Sequence, residues 1–160
     1  MTTRDQVVRL SCNLDDMSGE ELGGLIEAML DRGALDAWFT PIQMKKSRPG
    51  VMVSVLCRPG DGERLATILL AKTSTLGVRY ETIERRIADR AVVAVETPWG
   101  SVGCKLKVLD DVVVGCKAEQ DDCRRLASAA GGAVEPRQVK LAAETRASKW
   151  LGHPPPAGND

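Results

Sequence analysis

Histidine is almost absent from this chain. Of 160 residues only His153 is a histidine, and it lies in Gly152-His153-Pro154-Pro155-Pro156, close to the end. A self-sufficient histidine metal site is excluded by that count alone. Aromatic side chains are also scarce, at three tryptophans, one tyrosine and one phenylalanine, and 22 basic residues balance 22 acidic ones. Non-specific binding to nucleic acid needs clustered cations, so zero net charge with few stacking rings argues against it. No stretch approaches the roughly 20 apolar residues of a membrane-spanning helix, so no membrane role is expected. The opening Met1-Thr2-Thr3-Arg4-Asp5 lacks the apolar stretch of a signal peptide, and a cytoplasmic location is expected. Five cysteines, at positions 12, 57, 104, 116 and 123, form no Cys-x-x-Cys pair. In a reducing compartment such residues are most often small buried hydrophobes, while their thiolates also suit transition metals.

What is present is an α+β pattern long enough for one domain over residues 1–150. Val7 to Cys12 is rich in β-formers. Ser18-Gly19-Glu20-Glu21 forms a capping box, predicting a helix over 18–32 that buries Leu22, Leu25, Ile26, Met29 and Leu30 and stops at Gly33. Strands are expected over 35–41 and 51–57, joined by a basic segment ending in the turn dipeptide Pro49-Gly50. Pro59-Gly60-Asp61 opens a second helix with Leu65, Ile68 and Leu69 inside, ending near Lys72, and 77–87 reads as another strand. The order βαββαβ is the ferredoxin-like pattern. A hairpin around Pro98-Trp99-Gly100, a strand over 112–117 and helices over 119–130 and 136–147 extend it. The Pro/Gly-rich stretch from Gly152 to Asp160 has no periodicity and is expected to be a disordered tail over about 151–160.

Three junction segments could carry chemistry. In the first, Asp15 and Asp16 precede a helix N-terminus, where negative charge is favoured. The same carboxylates could hold Mg²⁺ or Mn²⁺, which take oxygen ligands and bridge to substrate phosphates. The second, Lys45-Lys46-Ser47-Arg48, places three cations in four residues, suiting either a polyphosphate or a solvated charged turn. The third runs from Lys72 through Thr73, Ser74 and Thr75 to Gly77 and Arg79. Its hydroxyls and amides could form an anion nest, with Arg79 as a planar fork for phosphate. It lacks P-loop spacing. Strand ends lie close together in a βαββαβ sheet, so the three segments are expected to converge.

The same segments carry a family resemblance. Residues 13–23 (Asn-Leu-Asp-Asp-Met-Ser-Gly-Glu-Glu-Leu-Gly), residues 40–50, and Thr75-Leu76-Gly77-Val78-Arg79 are similar to the C-terminal domain of LarC-type nickel insertion proteins. Glu96-Thr97-Pro98-Trp99-Gly100 and residues 121–127 extend the match, which runs from about Val7 to Ala143. The resemblance implies a nickel insertase that loads nickel, as substrate metal, into pyridinium-3,5-bisthiocarboxylic acid mononucleotide and consumes CTP with Mg or Mn. It further implies Asp15 and Asp16 as metal ligands. Lys45, Lys46, Arg48, Ser74, Thr75, Gly77 and Arg79 would then be the nucleotide-binding residues. The family's N-terminal part carries histidine-rich stretches that a chain with one histidine cannot supply. The resemblance therefore implies either a separately encoded C-terminal subunit, with a separately encoded N-terminal part as its partner, or an excised domain. Departures occur at Ser11-Cys12, where relatives tend to have Glu-Thr, and at Ala118 and Gln120, where they tend to have Pro and Tyr. Exposed edge strands in such a sheet invite a homotrimer or hexamer. The rival readings are a non-catalytic PII-like nucleotide-binding module and a purely structural assembly domain.

Overall fold

The computed structural model describes residues 3–156. These fall into two compact units, Arg4–Arg85 and residues 86–156 with Thr3. The first unit follows the expected order: β1 (Thr3–Leu14), α1 (Gly19–Asp31), β2 (Asp36–Met44), β3 (Arg48–Cys57), α2 (Gly62–Lys72) and β4 (Arg79–Ile87). Its sheet runs β2-β3-β1-β4, with β3 antiparallel to both β1 and β2, which is the order of the ferredoxin-like split βαβ arrangement.

Local chemistry explains where the elements begin and end. Ser18 Oγ accepts from the Glu21 amide at 3.2 Å, and the Glu21 carboxylate accepts from the Ser18 amide at 2.7 Å, so α1 starts with both halves of its capping box. Past its end Gly33 has φ +88°, a left-handed angle suited to glycine. Leu22, Leu25 and Met29 of α1 and Leu65 and Leu69 of α2 pack on Val8, Leu10, Cys12 and Leu14 of β1 and Val53, Val55 and Cys57 of β3. Leu30 departs from the expected stripe. It sits at the edge of the face centred on Leu22, Leu25 and Met29 and is 44% exposed. The odd-numbered residues of β1, among them Arg9, Ser11 and Asn13, point to the opposite face of the sheet, because successive strand residues alternate.

The basic segment also differs from expectation. The turn is Lys45–Ser47, where Lys46 and Ser47 take left-handed φ of 60° and 56°, whereas Pro49 and Gly50 lie within β3 opposite Gln43 and Ile42. β1 stops pairing at Leu14 opposite Val51, so Pro49 sits where β3 has only β2 beside it and its missing N–H disturbs no ladder with β1.

The second unit is a β-meander of β5 (Asp89–Thr97), β6 (Gly100–Leu109) and β7 (Val112–Ala118), followed by α3 (Gln120–Ala129) and α4 (Pro136–Ala147). The expected hairpin turns at Pro98-Trp99, and Gly100 needs to be glycine. Its φ is +126°, and a Cβ there would stand 2.9 Å from Leu126 Cδ2. Asp110 and Asp111, at φ 48° and 62°, make the two-residue turn into β7. Val95, Val102, Cys104 and Ala118 pack against Cys123, Leu126, Val139, Ala143 and Ala147, where alanines let α4 lie close to the sheet. The start of the supposed tail is held in place: the Gly152 amide donates to Val113 O at 3.0 Å and the Val113 amide to His153 O at 2.9 Å. Backbone pairing of this kind leaves no mark in a Pro/Gly-rich composition. Residues 157–160 lie outside the described ones.

Four cysteines are buried and Cys116 is half-buried, all as free thiols. Burial pushes the Cys104 thiol up to about 11, with Cys116, Glu144 and Cys123 nearby adding to the effect. Among the described residues no three His, Cys, Asp or Glu side chains are arranged to hold a metal ion. No described helix is long and apolar enough to cross a membrane.

Candidate functional site

The three junction segments meet at one end of the four-stranded sheet. β1 carries Asn13 beside its last core residue, Leu14, and Asp15 and Asp16 follow directly after the strand. The β2–β3 turn delivers Lys45, Lys46 and Arg48, and the α2–β4 connection delivers Ser74, Thr75, Gly77 and Arg79. Direct bonds tie them together. Arg48 Nη1 donates to Asp15 Oδ2 at 3.2 Å, Ser74 Oγ donates to Asp16 Oδ1 at 2.6 Å, and Arg79 Nη2 donates to Asn13 Oδ1 at 2.6 Å. Lys45 and Lys46 are exposed on their turn.

Each bond is of a kind that a ligand could displace. The Arg48 side chain is 61% exposed, and ion pairs in such surroundings contribute only about 0–1 kcal/mol. Asp15 and Asp16 supply two carboxylates, and among the described residues no third His, Cys, Asp or Glu joins them as a metal-holding group. A Mg²⁺ or Mn²⁺ ion is commonly held in this way, by one or two carboxylates with the rest of its shell from water and substrate phosphates. The donor set therefore fits a metal that arrives with a nucleotide, not a metal caged by the protein.

The loop after α2 is wired internally. Thr73 Oγ donates to Leu69 O at 2.7 Å and accepts from the Thr75 amide at 3.3 Å. Thr75 Oγ donates to Gly77 O at 2.9 Å and accepts from the Gly77 amide at 3.4 Å. Two of the amides expected to form an anion nest are thus occupied by hydroxyls of the loop, and an anion has to exchange with them. Nothing lies within 4 Å of where a Gly77 Cβ would stand, so the local packing does not demand glycine there.

Arg79 differs from the other arginines in the β1/β4 row. Arg85 reaches Asp5 with two bonds, at 3.0 and 2.7 Å, and the guanidinium holds the Asp5 carboxyl below its ordinary range. Arg9 meets Glu81 at 2.6 Å. Arg79 instead donates Nε to Ser11 Oγ at 3.0 Å and Nη2 to Asn13 Oδ1, both neutral acceptors. It is oriented yet not neutralised by any carboxylate among the described residues. Sequence reasoning quoted Ser11 and Asn13 without giving them a role. Their signal was the strand alternation that puts Arg9, Ser11 and Asn13 on one face. Beneath, burial raises the Cys12 thiol, and the nearby Arg79 and Thr75 only partly oppose this.

Two shallow cavities flank the Asp15–Met17 bend. One of about 230 Å³ is lined by Leu14, Asp15, Met17, Pro49, Gly50 and Val51. The other, of about 240 Å³, has Met17, Glu21, Leu25 and Lys72 on its walls. Each falls below the ~300 Å³ at which ligand pockets usually begin, so a whole nucleotide would extend beyond either. Gly50 shapes the first cavity, because a Cβ there would come within 2.7 Å of Leu14 O and of Met44 Sδ. In the second unit, Asp122 accepts from the Gly103 amide and from Arg125, and Glu119 pairs with Lys105. Both carboxylates have structural partners.

Known proteins resemble this chain over most of its length. The family model described as nickel insertion protein matches residues 1–136. A protein of Myxococcus xanthus named for nickel insertion is 46% identical over 134 residues, covering 84% of this chain and 34% of that protein. The pyridinium-3,5-bisthiocarboxylic acid mononucleotide nickel insertion protein of Lactiplantibacillus plantarum is 42% identical over 125 residues, covering 78% of this chain and 30% of that protein. The chain thus spans about a third of the length of these relatives. Its fold matches a solved structure of LarC2, the C-terminal domain of a cyclometallase involved in the synthesis of the NPN cofactor of lactate racemase. The TM-score is 0.84 at 38% identity, covering 91% of this chain and 99% of that one. A structure from Methanopyrus kandleri gives a TM-score of 0.65 at 27% identity, covering 93% of each chain. With the match extending over most of its length, the chain belongs to the LarC-type nickel insertion protein family.

Proposed function

We propose that this chain is the CTP-binding component of a nickel insertase whose substrates are nickel and pyridinium-3,5-bisthiocarboxylic acid mononucleotide. The observation that carries the reading is Arg79, held by the neutral side chains of Ser11 and Asn13 and without a carboxylate partner among the described residues, on the strand that runs into Asp15 and Asp16. An oriented, uncompensated guanidinium at the sheet end where two successive carboxylates are available to a divalent ion suits a nucleoside triphosphate. The near-complete coverage of the LarC2 domain supports residues 1–150 acting together as one functional domain.

In this reading Asp15 and Asp16 would hold the Mg or Mn ion that accompanies CTP, and such an ion would supply positive charge to the phosphates. Arg48 is released from Asp15 and turns to the phosphates together with Lys45 and Lys46. Ser74, Thr75 and the Gly77 amide exchange their internal bonds for phosphate oxygens, and Arg79 stays fixed by Asn13 while offering its free N–H groups. Positive groups are thereby placed where charge develops when a phosphoanhydride opens. A separate N-terminal part is the partner that supplies nickel ligands in this reading, since one histidine is too few for a histidine nickel site of this chain's own, and the β2 and β4 edges of the sheet support self-assembly as a trimer or hexamer.

Calorimetric titration with CTP, ATP, GTP and UTP, each with Mn²⁺, tests the proposal. Saturable binding that favours CTP and weakens without metal is expected. A melting temperature indifferent to millimolar CTP and Mn²⁺ would overturn it, since a ligand of the native state must stabilise that state. Binding without pyrophosphate release, in the presence of every partner component, would instead point to a non-catalytic module of the PII-like kind.

A further inference from the structure

The second unit carries a feature that the CTP site does not use. Along β6, alternation sends Val102, Cys104, Leu106 and Val108 into the core and Lys105 and Lys107 to the other face. Register then sets like charges directly opposite one another: Arg90 faces Lys107, and Lys105 faces Lys117. Cross-strand pairs of one sign repel and weaken a sheet. Lys105 is paired to Glu119 at 2.6 Å, while Arg90, Lys107 and Lys117 have no ion pair among the described residues. Four exposed cations therefore share one sheet face, and three of them, without an ion pair among the described residues, have N–H groups free for an anion.

These cations rim a groove of about 460 Å³, within the ~300–1,000 Å³ usual for small-molecule pockets and larger than either cavity beside Asp15. Its lining is predominantly apolar. The ladder between β6 and β7 shifts at Lys107/Val108, so that Val114 is the extra residue of a bulge and Gly115 sits opposite Lys107. A Cβ on Gly115 would meet only Lys107 Cβ, at 3.9 Å, so the absent side chain leaves open space at the base of the groove. Asp89, the one carboxylate on the lining, already has an interaction within the protein, and nothing here resembles the Asp15–Asp16 pair that could bring a divalent metal with a triphosphate. An apolar floor beneath separated cations suits a flat ring bearing anionic groups at several points.

We infer that this groove is a second ligand site, for an aromatic mononucleotide that carries carboxylate-type arms as well as its phosphate. The identification with the substrate rests on the proposed nickel-insertase reading, whereas the site itself rests on the groove. Apolar contacts with Ile87 and around Gly115 would seat the ring, and Arg90, Lys107 and Lys117 would receive the phosphate and the arms.

The test is calorimetric titration of the full chain with nicotinic acid mononucleotide, a pyridinium mononucleotide bearing one carboxylate. A parallel titration uses nicotinamide mononucleotide, which lacks the carboxylate. The acid should bind saturably and at least tenfold more tightly than the amide. The double variant Lys107→Ala/Lys117→Ala should weaken it at least tenfold, with CTP binding unchanged and a melting temperature that holds or rises as like-charge repulsion is relieved. No binding at millimolar concentration, equal affinity in the double variant, or displacement by CTP would each overturn the inference. Groove binding that survives when CTP fails to bind would sink the CTP reading and leave the groove standing.

Discussion

Replacing Arg79 with alanine separates a binding role from a structural one. Arg79 makes two side-chain bonds, at 3.0 Å to Ser11 Oγ and 2.6 Å to Asn13 Oδ1, and has further N–H groups available to a ligand. A hydrogen bond to a charged group contributes about 1.5–3 kcal/mol, and an exposed guanidinium belongs near the lower end. At about 1.4 kcal/mol per decade, CTP affinity should fall by roughly tenfold. A structural cost accompanies this loss. Ser11 is only 4% exposed, and without Nε its hydroxyl loses its partner, which costs about 1–3 kcal/mol. The double variant Ser11→Ala/Arg79→Ala should recover most of that stability but none of the affinity. Urea denaturation reads the first quantity and calorimetry with Mn²⁺ the second. Wild-type CTP affinity in a folded Arg79→Ala protein would refute the reasoning, and so would full recovery of affinity in the double variant.

Two further expectations concern the fold. Gly50→Ala drives a Cβ to 2.7 Å from the Leu14 carbonyl, which cannot swing away as Met44 can, so overpacking should cost about 1–3 kcal/mol in chemical denaturation. A change below about 0.5 kcal/mol would show that β1 and β3 separate more easily than their geometry suggests. Cys104 keeps its proton up to about 11 in the folded state, whereas a thiol in the unfolded chain titrates near 8.5. Between those values the folded state binds more protons than the unfolded one, so stability falls as pH rises through the window. Cys104→Ala should flatten the fall, and an unchanged alkaline stability profile would contradict the assigned burial.

The secondary elements were readable because their causes are local. The Ser18–Glu21 box, the Gly33 stop, the turns at Pro98-Trp99 and Asp110-Asp111, and the alternation of β6 act within a few residues. So does the 3.6-residue stripe of α1, whose error at Leu30 is one position at the margin of a face. The assignment of Pro49-Gly50 to the turn failed for a non-local reason. Whether a proline can sit in a strand depends on which neighbour that strand has at that level, and β1 ends just short of Pro49.

By itself the sequence determined which residues could serve an anion and a metal: the Asp15–Asp16 pair, the cations at 45, 46 and 48, and the hydroxyl loop leading to Arg79. Tertiary structure decided what each of them is free to do. Asp15 is shared with Arg48, and the Thr75 hydroxyl occupies the Gly77 amide. Among the described residues Arg79 alone of the three arginines in its row lacks a carboxylate: β1 offers it Ser11 and Asn13, whereas Arg85 finds Asp5 on β1 and Arg9 finds Glu81 on β4. The cations at 90, 105, 107 and 117 are spread over nearly thirty positions of the chain. Only strand pairing sets Arg90 against Lys107 and Lys105 against Lys117, since charge proximity across a sheet is fixed by register and not by distance along the sequence.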